Sequence, residues 1–82
     1  MKVPRDVGGE ELIKLLAGFG YSITRQTGSH IRLTSSARGT EHHITIPRHN
    51  PLKVGTLSGI LKDVASYLEI NRQQFIADLF KK

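Results

Sequence analysis

Three short runs of alternating apolar and polar residues, joined by brief connections, constrain this chain more than any other feature. They are Tyr21-Ser22-Ile23-Thr24-Arg25-Gln26, Ser29-His30-Ile31-Arg32-Leu33-Thr34 and His42-His43-Ile44-Thr45-Ile46-Pro47. A period of two is the pattern of a strand with one buried face and one wet face. Thr27-Gly28 is a turn signal, Ser35 to Thr40 is a polar loop, and Pro47 closes the third run. Strands this close together in sequence pair antiparallel, as a meander. Such a sheet has one apolar face to cover, so the flanking segments must supply helices.

The flanks carry that pattern. Leu12, Leu15, Leu16 and Phe19 recur at helical spacing after Gly8-Gly9; Glu10 and Glu11 sit where the helix dipole favours acids, and Gly20 is placed as a C-terminal cap. Val54, Leu57, Ile60, Leu61, Val64 and Leu68 form the apolar stripe of a second helix over residues 54–68. Gly55 and Gly59 on it are expected to allow close approach to the sheet. Asn71 can cap a third, short helix, with Gln74 reaching back as in a capping box and Ile70 and Phe75 at the two positions of a hydrophobic staple. Lys81-Lys82 suit its C-terminus. The expected fold class is α+β: a two-layer α-β-β-β-α sandwich with both main helices on one face of the sheet and an additional short C-terminal helix. At 82 residues the chain reads as one domain, 1–82, with a core over about 6–68 and the extra helix over about 71–81. It has no cysteine, so no disulfide or thiolate site can staple it.

Alternation also decides which side chains face water. Ile31 and Leu33 must look toward the helices, which sends His30 and Arg32 to the open face of the sheet. By the same rule Tyr21, Ile23, Ile44 and Ile46 point in, whereas Thr24, Gln26, His43 and Thr45 point out. The open face is then polar and partly cationic, with Glu41 at its margin.

Lysine and arginine number 12 against 7 aspartate and glutamate, a formal charge of +5. That balance favours polyanionic partners, nucleic acid first. No run approaches the roughly 18 apolar residues of a membrane span, and Met1 to Asp6 lack the apolar stretch of a leader, so the expected location is cytoplasmic. RNA cleavage without a metal needs a base for the ribose 2′-hydroxyl proton and an acid for the leaving oxygen. Histidine suits both because it titrates near neutrality. The chain offers His30, His42, His43 and His49, with Arg32, Arg48 and Lys53 as phosphate partners. His42 and His43 are adjacent on a strand and point to opposite faces, and no acid stands at ligand spacing to His30, so no metal site is expected. Gly55-Thr56-Leu57-Ser58-Gly59 lacks the Gly-Lys-Ser/Thr ending of a phosphate loop.

Three segments in order, Gly28-Ser29-His30, Ile46-Pro47-Arg48-His49 and Gly55-Thr56-Leu57-Ser58-Gly59-Ile60-Leu61-Lys62, give the chain a resemblance. Over about Asp6 to Leu68 it resembles the HicA (YcfA-like) mRNA interferase toxins. That resemblance implies a fold like a double-stranded-RNA-binding domain and cleavage of messenger RNA that slows growth. It carries the catalytic role onto His30 and gives a HicB-like antitoxin that covers the site as partner; no cofactor is expected on the residues themselves. The helix after Asn71 lies beyond the shared segments. Packing on its own domain is expected of it, with an antitoxin surface and self-association within the complex as alternatives. Two other functional readings stand beside the toxin: a non-catalytic RNA-binding module of the same fold, and a protein-interaction domain that docks through the terminal helix.

Overall fold

The computed structural model describes residues 4–81. Met1 to Val3, read above for a leader, and Lys82, read as part of the cationic end of the last helix, lie outside the described residues. The order is α1 (Gly9–Ala17), β1 (Ser22–Thr27), β2 (His30–Ser35), β3 (His42–Pro47), α2 (Val54–Leu68) and α3 (Arg72–Leu79). The fold is α+β, as the periodicities require.

The three strands form one antiparallel sheet in the order β1-β2-β3. The helices cover one side of it. Leu12 and Leu16 of α1, together with Leu57, Leu61 and Val64 of α2, are buried in one cluster with Ile31, Leu33, Ile44 and Ile46. Phe75, Ile76 and Leu79 of α3 complete that cluster, and the Phe75 ring meets Phe19 edge-on at 5.1 Å. The terminal helix therefore packs on its own chain, as expected. Its cap is half of the expected device. Asn71 Oδ1 accepts the Gln74 N–H at 3.1 Å, but the Gln74 side chain donates to Asp78 Oδ1 at 2.9 Å instead of reaching back.

Four local expectations are corrected. Gly20 is not the cap of α1. Gly18 is, in ordinary helical geometry, and Gly20 supplies the left-handed residue (φ +93°) that turns the chain into β1. Val54 begins α2 but does not join the core; it is 44% exposed because the helix meets the sheet only from Leu57 onward. Gly55 and Gly59 approach nothing, since a Cβ at either would stand in open space.

The fourth correction concerns β1. The pairing runs in simple alternation through Ser22↔Thr34 and Ile23↔Leu33, then slips by one residue at Thr24. Beyond this bulge Arg25 faces Arg32, Gln26 faces Ile31 and Thr27 faces His30. Arg25 and Thr27 thus stand on the open side, and Gln26 is turned to the helix side. Thr24 keeps its hydroxyl on the open side, 2.8 Å from Thr34 Oγ1. Ile23 does point toward the helix layer, but β1 is an edge strand that the helices barely reach, and Ile23 is 52% exposed.

Candidate functional site

His30 opens β2 directly after the two-residue turn Gly28-Ser29. Gly28 takes φ +54°, the left-handed geometry that tight hairpins need. Across the sheet His30 is paired with Thr27 on one side and Pro47 on the other. Its neighbours Ile31 and Leu33 are buried, so the pleat holds the imidazole on the open face, where it is exposed. It makes no side-chain hydrogen bond or ion pair among the described residues; the histidines that do are His42 and His43.

The loop after β3 is held against this end of the sheet. The Arg48 N–H donates to Ser29 O at 2.7 Å, and the Gly9 N–H donates to His49 O at 2.8 Å. Residues 47–49 are thereby fixed between the hairpin turn and the start of α1. The approach is so close that a Cβ on Gly9 would stand 2.1 Å from Pro47 O. His49 is exposed, on a segment bonded to the residue before His30. Arg48 lies 3.3 Å from Glu10 Oε1, so part of its charge is already answered. A small cleft of about 120 Å³ separates the first turn of α1 from Arg48 to Asn50.

Of the residues singled out in the sequence, His30, Arg48 and His49 gather at this end. Arg32 is one pleat repeat further along β2, on the same face. Lys53 is apart from them, exposed as the N-cap residue of α2. His43 shares the open face with His30 but pairs with Thr34, four residues along β3 from Pro47. That puts it roughly 13 Å away. It is also engaged: Thr34 Oγ1 lies 2.8 Å from its Nδ1, and Glu41 Oε1 lies 3.4 Å from its Nε2.

His42 belongs to a different network, on the helix side. Tyr21 Oη is 2.7 Å from its Nδ1 and Asp63 Oδ1 is 3.2 Å from its Nε2. The ring stacks on Tyr67 at 4.6 Å. Burial, then the charges of Tyr67 and Asp63, push the Tyr21 hydroxyl well above its ordinary range. It therefore keeps its proton, and the Tyr21 hydroxyl and the Asp63 carboxylate hold the two ring nitrogens of His42 between them. Tyr67 Oη accepts the Arg38 N–H at 3.0 Å and shares its one proton between the carbonyls of Ser35 and Thr40, tying down the β2–β3 loop. With Tyr21 buried this is a lock on the far end of the sheet, not an open reaction centre.

Two open-face residues escaped the sequence reading, Arg25 and Thr27. Thr24-Arg25-Gln26-Thr27 are all polar, so the run contains no apolar residue to mark which side is in, and a one-residue slip leaves no trace in the pattern. Among the described residues no three His, Cys, Asp or Glu side chains gather as metal ligands, and no helix is long and apolar enough to cross a membrane.

A family model described as the HicA toxin of bacterial toxin-antitoxin systems matches residues 9–65. The chain belongs to the HicA toxin family. The match runs from the first residue of α1 almost to the end of α2, and so contains the whole sheet and the His30 end of it. Membership in the HicA family makes the chain a toxin of a toxin–antitoxin pair, with an antitoxin as its kind of partner. Helix α3 lies outside the matched segment, although its side chains fill the same core. No curated protein and no solved structure matches the chain.

Proposed function

We propose that this HicA chain is an mRNA interferase, a cytoplasmic endoribonuclease that cleaves messenger RNA with His30 as its catalytic residue and so arrests growth. The observation that carries the proposal is the position of His30: an exposed imidazole at the mouth of the hairpin, within the family-matched segment, beside Arg32 and the Arg48-His49 loop.

The reaction follows from the chemistry of RNA. His30 takes the proton of a ribose 2′-hydroxyl, and the oxygen attacks the neighbouring phosphorus. The bond from phosphorus to the 5′-oxygen breaks, giving a 2′,3′-cyclic phosphate and a 5′-hydroxyl that needs a proton. His49 is the candidate acid. Its segment is anchored to Ser29 and Gly9, whereas His43 is too distant and already bonded. Arg32, Arg48, His49 and Lys53 are the proposed RNA contacts, the cations among them answering backbone phosphate charge. An imidazole can take up and give back the proton itself, so the step as written calls for no metal or other cofactor. The proposed partner is a HicB-like antitoxin that neutralises the toxin by covering the His30 end of the sheet.

The test is induced expression of wild type and His30→Ala side by side, followed by cleavage assays with both purified proteins in chelator. Wild type is expected to stop growth and fragment RNA, and His30→Ala to do neither while remaining folded and still binding RNA. RNA cleavage by folded His30→Ala protein would remove His30 from the mechanism. Salt-sensitive RNA binding by a wild type that never cleaves would leave a binding module instead.

A further inference from the structure

The bulge at Thr24 does more than bend an edge strand. Without the slip, alternation would place Thr24 opposite Arg32 and turn Arg25 toward the helices. With it, Arg25 and Arg32 become direct cross-strand partners on the open face, with their Cβ atoms about 5 Å apart. Like charges placed this way repel and weaken a sheet. Neither guanidinium has an acidic partner among the described residues: the carboxylates that form ion pairs serve Arg38, His42, His43 and Arg48. Glu41, the acid at the margin of this face, is held by His43. The fold thus maintains an unanswered pair of positive charges.

What surrounds the pair shows what it would hold. The Thr24, Thr34 and His43 side chains form a hydrogen-bonded row beside it, with both links 2.8 Å long. Together with Arg25, Arg32 and Glu41 they line a shallow depression of about 430 Å³. Its free donors are the two guanidinium groups, because the hydroxyls and the His43 imidazole are bonded to one another and to Glu41, and no Phe, Tyr or Trp lines it. Such a site takes a phosphate and reads no sequence. Its place along the strand fixes which phosphate. Arg32 is two residues beyond His30 on one face of β2, a step of about 6.6 Å, comparable to one nucleotide of an extended single strand.

We propose that Arg25 and Arg32 form a phosphate subsite that grips the phosphodiester next to the one cleaved at His30, on single-stranded RNA. The pair holds the backbone straight along β2, so that the adjacent ribose lies over the imidazole. The site rests on the ribonuclease reading for its substrate, but not for its charge or geometry.

The experiment titrates His30→Ala protein with a labelled, mixed-sequence single-stranded oligoribonucleotide across a range of salt. Arg25→Gln is added on that background, and Arg38→Gln serves as a charge-matched control, since Arg38 is paired with Glu69 away from this face. Arg25→Gln is expected to weaken binding about tenfold and to reduce the slope of log affinity against log salt by about 0.7. The control should leave that slope unchanged. In the cleaving protein Arg25→Gln should raise KM and largely spare kcat. Free of RNA, Arg25→Gln should melt at or above the temperature of its parent, because a repulsion is gone; a lower melting temperature overturns the premise. Unchanged affinity and slope in Arg25→Gln, with cleavage by wild type intact, overturn the subsite and leave the ribonuclease standing. A wild type that neither binds nor cuts RNA overturns both.

Discussion

Replacing Gly9 with alanine separates two lines of physical reasoning. Helix propensity says that Gly→Ala within a helix stabilises by about 0.5–1 kcal/mol, and Gly9 is the first residue of α1. The tertiary structure says the opposite. The added Cβ would stand 2.1 Å from Pro47 O, 3.2 Å from Pro47 C and 3.3 Å from the Arg48 Cα, all of them backbone atoms that no rotamer change can move. Relief requires α1 to withdraw from the end of β3 by about an ångström. That stretches the 2.8 Å bond from the Gly9 N–H to His49 O. Losing it costs about 1 kcal/mol, and forced overpacking costs about 1–3 kcal/mol. Against the propensity gain the net loss is about 2 kcal/mol, or a melting temperature lower by about 10 °C in a domain of this size. Urea denaturation followed by circular dichroism measures it, with Gly59→Ala as the counterpart. Gly59 is exposed inside α2 and its added Cβ meets nothing, so that variant should gain about 0.5–1 kcal/mol. Stability of Gly9→Ala equal to or above that of wild type would refute the close approach of α1 to the end of β3.

Two further outcomes follow from the same structure. Phe75→Ala should destabilise by about 3–5 kcal/mol, because the ring is fully buried against Phe19. A thermal melt showing a loss below about 1 kcal/mol would mean that α3 is an appendage and not part of the core. The Tyr21 hydroxyl is held above its ordinary range by burial first, then by Tyr67 and Asp63. Its contribution is therefore fully present below the unfolded value near pH 10 and drains away as pH rises beyond it, since the unfolded chain releases that proton first. Tyr21→Phe should cost about 1 kcal/mol at neutral pH, through the lost bond to His42, and should fall less steeply between pH 10 and 11. Parallel alkaline slopes in urea titrations of the two proteins would contradict the assignment.

Much of this molecule is decided by local pattern. Alternation in 29–34 and 42–47 settles that Ile31, Leu33, Ile44 and Ile46 are inside and His30 and Arg32 outside, because a strand residue has only two faces to choose from. The stripe on α2 and the Asn71 cap are legible for the same kind of reason, as is the family, carried by short segments whose order survives in the sequence. What pattern could not decide lies where the chain offers no apolar marker or where two distant segments meet. The polar run from Thr24 to Thr27 is silent about the bulge, so only pairing with β2 sets Arg25 beside Arg32. The edge position of β1 leaves Ile23 half in water, although its own pattern says inside. Gly9 reads as an ordinary residue before a helix until Pro47 arrives against it, and His49 as a free loop residue until its segment is bound to Ser29 and Gly9. The physical reason is range: periodicity reports the face of an element, whereas register, edges and contacts between loops depend on what folds against it.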